Sequence, residues 1–278
     1  MNPLPAPAAF VHGSGLPAKS LLQQVLVAEL ARVEQLPPPP PPARPALQGA
    51  GAFETALRRE AAVRGGAVIA EYKQGSPSLG PFAVGTPLLP QLRAYAEGGA
   101  AAFSILTEPT YFHGSVEHLQ AAAELGVPRL YKGFVLAETQ LAEAEAAGAE
   151  AVLLIARVLK EHTAAFADAA RSRGLEPLIE LHNLTEVGFA QAAGARLVGI
   201  NARNLSTFTL GAPTAAPLRE AFPEAVLIRE SGLATPEDAQ AALRAGFDAV
   251  LIGEALMRSP DPRGFLERLL TRLRAEAL

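Results

Sequence analysis

Two hydrophobic patterns alternate along most of this chain. From residue 67 onward, short runs rich in β-branched and apolar residues recur, each followed by a longer Ala- and Leu-rich stretch of helical spacing. The strand candidates are AVIAEYK (67–73), AAFSIL (101–106), PRLYKGF (128–134), AEAVLLI (149–155), EPLIEL (176–181), RLVGIN (196–201), AVLIRES (225–231) and DAVLIGE (248–254). Their starts lie roughly 20–34 residues apart, room for one strand and one helix per unit. The helical stretches tend to close on glycine (Gly98, Gly126, Gly148, Gly174, Gly194 and Gly246), which accepts the left-handed backbone of a helix end. Strands alternating with helices imply parallel pairing and right-handed crossovers. Eight such units predict a closed (β/α)8 TIM barrel over residues 51–278. An open doubly wound sheet fits less well. The turn after the first strand lacks GxGxxG, and polar residues stand at the ends of almost every strand instead of at one switch point.

Ahead of the barrel, residues 18–36 carry Leu22, Val25, Leu26, Leu30 and Val33 at helical spacing. They predict one amphipathic helix, ended by the proline run Pro37–Pro42, which offers no backbone donors. That run reads as a stiff polyproline II spacer. A second helix is expected over 51–63. Residues 1–17, rich in Pro, Gly and Ala, are expected to be mobile. The organisation expected is therefore an N-terminal extension over 1–50, with one helix and a Pro-rich linker, followed by the barrel.

Composition narrows the function classes. The 278 residues are 49% hydrophobic and 19% charged, which suits a globular chain with a full-size core. There is no cysteine, which removes disulfides, thiol nucleophiles and Cys-ligated metals. The net charge of −4 argues against a nucleic-acid partner but leaves room for a local basic pocket. No apolar run approaches the ~18 residues of a membrane span, and the N-terminus lacks the basic start of a signal peptide. A cytoplasmic protein, acting as a monomer without a membrane partner, is expected.

In such a barrel the chemistry sits at the C-terminal ends of the strands. There the sequence puts Glu71 and Lys73, Lys132, Glu180, Asn201, and Glu230 with Ser231. Alternation turns Glu71 and Lys73 the same way, and likewise Glu180 and His182. Carboxylates beside ammonium groups shift one another's pKa and supply both acid and base near neutrality. The turns after the seventh and eighth strands, Ser231–Gly232 and Gly253–Glu254, together with Ser76 after the first, suit a phosphate cradle. His12, His113, His118 and His162 have no metal-ligand spacing and read as surface or loop residues. His182 either orients a neighbour or simply packs. Phe103, Phe112 and Phe134 read as core or pocket wall. No P-loop, HExxH or GxSxG motif is present.

These motifs, in this order and spacing, resemble the indole-3-glycerol-phosphate synthase family, barrel lyases of tryptophan biosynthesis. The resemblance runs from about residue 53 to 262. It rests on IAEYKQGSPSLG (69–80), FSILTEPTYFHGS (103–115), LYKGF (130–134), AGAEAVLLIARVL (147–159), LEPLIELH (175–182), VGINARNL (198–205), RESGL (229–233) and LIGEALMRSPDP (251–262). It implies a substrate, 1-(2-carboxyphenylamino)-1-deoxyribulose 5-phosphate, that is closed to indole-3-glycerol phosphate with loss of carbon dioxide and water. It implies that Lys132 is the general acid at the sugar ketone. Glu180 and Glu71 would serve proton removal and dehydration, and Lys73 would be a further acid or carboxylate-binding cation. Asn201 and Glu230 would position anthranilate and hydroxyl groups, Arg203 would approach the substrate carboxylate, and Ser76, Ser231, Gly232 and Gly253 would line the phosphate site. No cofactor or metal is implied, because the imine formed on ring closure is itself the electron sink for decarboxylation.

Four places depart from the family pattern. Gly133 stands where Asp is usual, Ala202 and Asn204 where Asn and Asp are common, Gln74–Gly75 where a basic–small pair is typical, and Arg229 where a small residue is usual. Other readings fit less well. Phosphoribosylanthranilate isomerase, another phosphate-binding barrel, relies on a cysteine base, and this chain has none. A barrel that only binds would have no need of Lys132 and Glu180.

Overall fold

A computed structural model of the chain describes residues 4–12, 17, 20–77, 79–201 and 214–276, of which 272–276 are described as backbone only. Eight strands close into a barrel: β1 (Ala67–Tyr72), β2 (Ala102–Leu106), β3 (Arg129–Lys132), β4 (Ala151–Ile155), β5 (Glu176–Leu181), β6 (Leu197–Asn201), β7 (Val226–Glu230) and β8 (Ala249–Ile252). Each pairs in parallel with its sequence neighbours, and β8 returns to β1. Helices cover one face of every strand and side chains fill the other. Strands β1, β2, β4, β5 and β8 are therefore buried throughout, which is why their sequences read as apolar runs instead of strict alternations.

Register brings the polar strand ends level. Glu71 pairs with Ser104, Leu106 with Lys132, Ile155 with Glu180, and Asn201 and Leu251 both with Glu230. At the opposite end, helix α3 (Ala52–Arg64) closes the barrel floor. The Glu176 carboxylate, at the start of β5, accepts from the Phe53 and Glu54 amides at 2.6 and 2.9 Å. A carboxylate at a helix N-terminus satisfies donors that have no partner within the helix.

The amphipathic helix expected near the N-terminus is α2 (Leu21–Val33), which begins at Ser20, whose side chain accepts from the Gln23 amide. Its apolar face is buried on the barrel. Arg32 locks it there, donating to Glu143 at 2.9 and 3.1 Å, to its own helix's Glu29 and to the Tyr131 hydroxyl. The proline run and the residues after it have no helix or strand, and they are tied to the barrel's outer surface. Arg173 donates to the Pro40 carbonyl, and the Ala43 and Arg44 amides donate to Glu145.

One expectation is corrected. Within residues 1–17, read as mobile, the structure has a helix, α1 (Pro7–His12), with Phe10 and Val11 buried. The Phe10 ring packs edge-on against Phe166 and His162 at 5.6 Å each. Proline at the first helical position costs nothing, because its missing N–H would have been unpaired there anyway. The aromatic contact outweighs the weak helical tendency of six residues. The helix before β2 closes on Gly98 as expected, but the left-handed backbone falls on the next residue, Gly99 (φ +97°). Among the described residues no helix is long and apolar enough to cross a membrane.

Candidate active site

The C-terminal mouth of the barrel holds a cavity of about 640 Å³. Glu71, Lys73, Ser76, Lys132, Glu180, Asn201, Glu230, Ser231, Gly232 and Gly253 all line it. Arg203, expected at the substrate carboxylate, lies outside the described residues, as do Ala202 and Asn204. Part of the cavity lining is apolar. Leu21, Leu22 and Val25 of α2 form it together with Phe112, Phe134, Leu106 and Ile155. Phe112 and Phe134 lie with ring centroids 5.9 Å apart. The loop carrying Phe112 is fixed by buried Glu108, which accepts from the Thr110, Tyr111 and Phe112 amides.

The polar side is built around Lys132. Its Nζ donates to Glu230 Oε2 at 2.8 Å and lies 3.7 Å from both Glu71 Oε2 and Glu180 Oε2. Glu71 also meets Lys73 Nζ at 2.9 Å and accepts from Ser104 Oγ at 3.1 Å. All three carboxyls are buried, so each charge depends on a neighbour. Burial alone would push the Lys132 ammonium down, but Glu230, Glu71 and Glu180 outweigh it and hold it above the ordinary lysine range. Burial likewise disfavours the Glu71 carboxylate, and Lys73, Lys132 and Ser104 overcome this and keep it below the usual value. Glu230 goes the other way. Burial dominates and its carboxyl is pushed up to about 8, with Lys132 opposing and Glu180 adding to the rise. The arrangement has one carboxyl more than it has ammonium groups, and Glu230 is where the surplus proton resides near neutrality. Among the described residues no group of three or more His, Asp or Glu stands ready for a metal.

Two glycines make this cluster possible. A Cβ on Gly199, in the middle of β6, would lie 2.1 Å from Glu230 Oε1. A Cβ on Gly253 would lie 2.4 Å from Glu71 Oε1 and 3.1 Å from Lys73 Cε. Gly253 therefore makes room for the Glu71–Lys73 pair as well as opening the turn after β8. Gly199 was not among the residues expected at the site, though an isolated glycine inside a strand is a sign of close approach. Ser104, a lone hydroxyl in an apolar strand, carried a similar sign. After β7, Ser231 and Gly232 both adopt left-handed backbone (φ +63° and +73°), a tight turn at the cavity rim. A non-glycine residue held there is strained, and such strain concentrates at functional sites.

The sequence profile described as indole-3-glycerol phosphate synthase matches residues 31–269. The chain belongs to the indole-3-glycerol phosphate synthase family. Relatives bearing that description include proteins of Lactiplantibacillus plantarum, 41% identical over 87% of this chain and 94% of its own length, and of Carboxydothermus hydrogenoformans, 43% identical over 77% and 83%. Among solved structures, thiamine phosphate pyrophosphorylase from Pyrococcus furiosus superposes with a TM-score of 0.56 at 17% identity. It covers 76% of this chain and 96% of its own, and shares the fold alone.

The departures from the indole-3-glycerol phosphate synthase pattern have local causes. A Cβ at Gly133 would lie 2.7 Å from Thr107 Oγ1 and 2.9 Å from the Tyr131 ring, so an aspartate there would displace both. The anions around Lys132 are the glutamates on the neighbouring strands. Gln74 turns to the Tyr72 hydroxyl and the Thr86 carbonyl and is not part of the cavity lining. Arg229 is also absent from the cavity lining. Nothing among the described residues explains why arginine stands there.

Proposed function

We propose that the protein is an indole-3-glycerol-phosphate synthase, converting 1-(2-carboxyphenylamino)-1-deoxyribulose 5-phosphate to indole-3-glycerol phosphate, carbon dioxide and water. The observation that carries this reading is Lys132, a buried ammonium set among three carboxyls and facing a cavity lined in part by apolar side chains and in part by the Ser231–Gly232 turn. The anthranilate ring fits the wall formed by α2, Phe112 and Phe134. The phosphate fits the rim formed by Ser76, Ser231–Gly232 and Gly253.

In the first step the ring carbon attacks the sugar ketone and the oxygen becomes negative. Lys132 gives that oxygen a proton at the moment its basicity rises, which is when a general acid is effective. Attack leaves an iminium at the ring nitrogen. The carboxylate on the attacking ring carbon then departs as carbon dioxide, and its electron pair neutralises the iminium and restores the aromatic ring. In the last step the new hydroxyl leaves as water. A cationic acid, Lys132 or Lys73, supplies its proton, and Glu180 or Glu71 removes the proton from the adjacent carbon. Asn201 and Glu230 orient the substrate hydroxyls. We read the enzyme as a cytoplasmic monomer, with Arg203 toward the substrate carboxylate.

The test is direct. Purified protein given the carboxyphenylamino-deoxyribulose phosphate should develop indole fluorescence and release one carbon dioxide per indole. Absence of product between about pH 5 and 9 would overturn the reading. For the phosphate rim, Gly232→Val should raise KM more than it lowers kcat, since the phosphate is remote from the reacting carbons. Equal changes in both would refute that assignment.

A further inference from the structure

His182 follows the last residue of β5 and shares the inward face of Glu180, with its ring 2% exposed. Its Nε2 lies 3.3 Å from Glu180 Oε1, while the other oxygen of the same carboxylate lies 3.7 Å from Lys132 Nζ. Lys132 and His182 thus stand on either side of Glu180. The His182 backbone is itself braced. Its N–H donates to Glu186 Oε2 at 2.8 Å, and Asn183 Nδ2 donates to Glu186 Oε1 at 2.9 Å. His182 Nδ1 is 4.0 Å from Glu186, too far for a hydrogen bond.

The titratable groups around the ring are Glu180 and Glu186 on its own segment, Arg157 after β4, Lys132 on β3 and Glu230 on β7. Burial, against the pull of Glu186 and with Arg157 adding, pushes the imidazole down to about 4, so it is neutral and carries one proton. Glu180 is the nearer carboxylate, and Glu186 already accepts from two donors, so that proton belongs on Nε2. Yet neither ring nitrogen makes an aligned hydrogen bond among the described residues. A buried donor left in this state costs free energy that a small rotation of Glu180 would recover. Catalytic hydrogen bonds of free enzymes are often misaligned and tighten only when substrate binds.

We propose that His182 is a positioning residue whose Nε2–H donates to Glu180 Oε1 in the substrate complex, fixing the carboxylate with its other oxygen turned to the proton it removes. This rests on the reading of Glu180 as a base. It extends that reading to a residue acting only through Glu180, and it makes a neutral histidine part of how the proton acceptor is aimed.

The experiment uses the full chain and the variants His182→Leu and His182→Gln, with kcat and KM followed across pH and thermal unfolding as control. The leucine variant should lose about tenfold in kcat, a typical effect of one hydrogen bond to a charged group. Its KM should stay within about twofold, and the acid limb of its kcat–pH profile should move up by about half a unit or more. Glutamine restores a donor at similar reach and should recover most of both effects. Equal losses in the two variants with an unmoved acid limb would overturn the proposal in favour of simple packing, as would unchanged kcat in both. A wild-type chain that makes no indole product at all refutes the functional reading, and the proposal with it. If the leucine variant does not fold, nitrogen NMR of the wild-type ring decides. An Nε2–H whose proton moves downfield when indole-3-glycerol phosphate is added supports the proposal, and an Nδ1–H tautomer overturns it.

Discussion

Lys132→Met removes the charge around which the site is assembled. In the wild-type cluster the ammonium groups of Lys73 and Lys132 face Glu71, Glu180 and Glu230. With Glu230 pushed up to about 8 and holding a proton, these charges balance near neutrality. At 3.7 Å and an effective dielectric of about 20, the Lys132 contacts with Glu71 and Glu180 are each worth about 4.5 kcal/mol. Losing both would unfold many proteins if the carboxylates had to stay ionised. Protonating one ordinary glutamate at pH 7 costs only about 4 kcal/mol, which caps the loss. The variant also escapes the several kcal/mol spent in burying the Lys132 ammonium. These terms nearly cancel, so the variant should fold with stability within about 2 kcal/mol of wild type. It should also bind about one more proton at neutral pH. Catalysis has no such escape, because methionine neither donates a proton nor neutralises the ketone oxygen. General acid catalysis and charge stabilisation are each worth about 10²–10⁴-fold, so kcat should fall by at least about a thousandfold. Phosphate affinity should stay nearly unchanged. Single-turnover kinetics, with circular dichroism and urea unfolding as controls, reads all of this. Lys73→Met should cost less, or let an intermediate after ring closure accumulate. A Lys132→Met enzyme within tenfold of wild type would pass the acid's role to Lys73, and a loss of stability well beyond 4 kcal/mol would refute the proton-uptake argument.

Three further outcomes are expected. Gly199→Ala puts a methyl 2.1 Å from Glu230 Oε1, so the carboxyl must leave Lys132; kcat should fall about 10–100-fold and stability by about 1–3 kcal/mol, and steady-state rates equal to wild type would show that Glu230 is not held by that contact. Deleting residues 1–45 removes Leu21, Leu22 and Val25 from the cavity wall and Arg32 from Glu143; circular dichroism should still report a folded barrel while KM rises, and a truncated chain with full kcat/KM would deny α2 any part in binding. Glu230, raised from 4.5 to about 8 on folding, contributes stability that is fully present below about pH 4.5 and is lost as pH rises through about 8, at most about 5 kcal/mol in all; urea unfolding across that range should show wild-type stability declining more steeply than that of Glu230→Gln, and parallel slopes would contradict the raised pKa.

The eight strands were legible in the sequence because a strand buried on both faces is written as an apolar run, and its polar end then stands out. Glu71, Lys132, Glu180 and Glu230 each follow such a run, and closure of the barrel brings those ends to one mouth. The N-terminal helix was legible from its 3.6-residue period. Other features had no local signature. Six residues beginning with proline carry too little pattern to announce α1, and it forms because Phe10 finds Phe166 and His162, more than 150 residues away. The wall that α2 contributes to the cavity, and Arg32's hold on Glu143 and Tyr131, depend on where the helix docks, which its own sequence leaves open. The meaning of Gly199 and Gly253 emerges only when a carboxylate from an adjacent strand fills the space a side chain would need. The division of charge is the clearest case. Sequence supplies three glutamates and two lysines at strand ends, all alike in water. Burial and distances of 2.8 to 3.7 Å decide that Lys132 keeps its proton, Glu71 loses its own and Glu230 retains one until pH rises through about 8, because a charge in a low-dielectric site is set by its nearest neighbours.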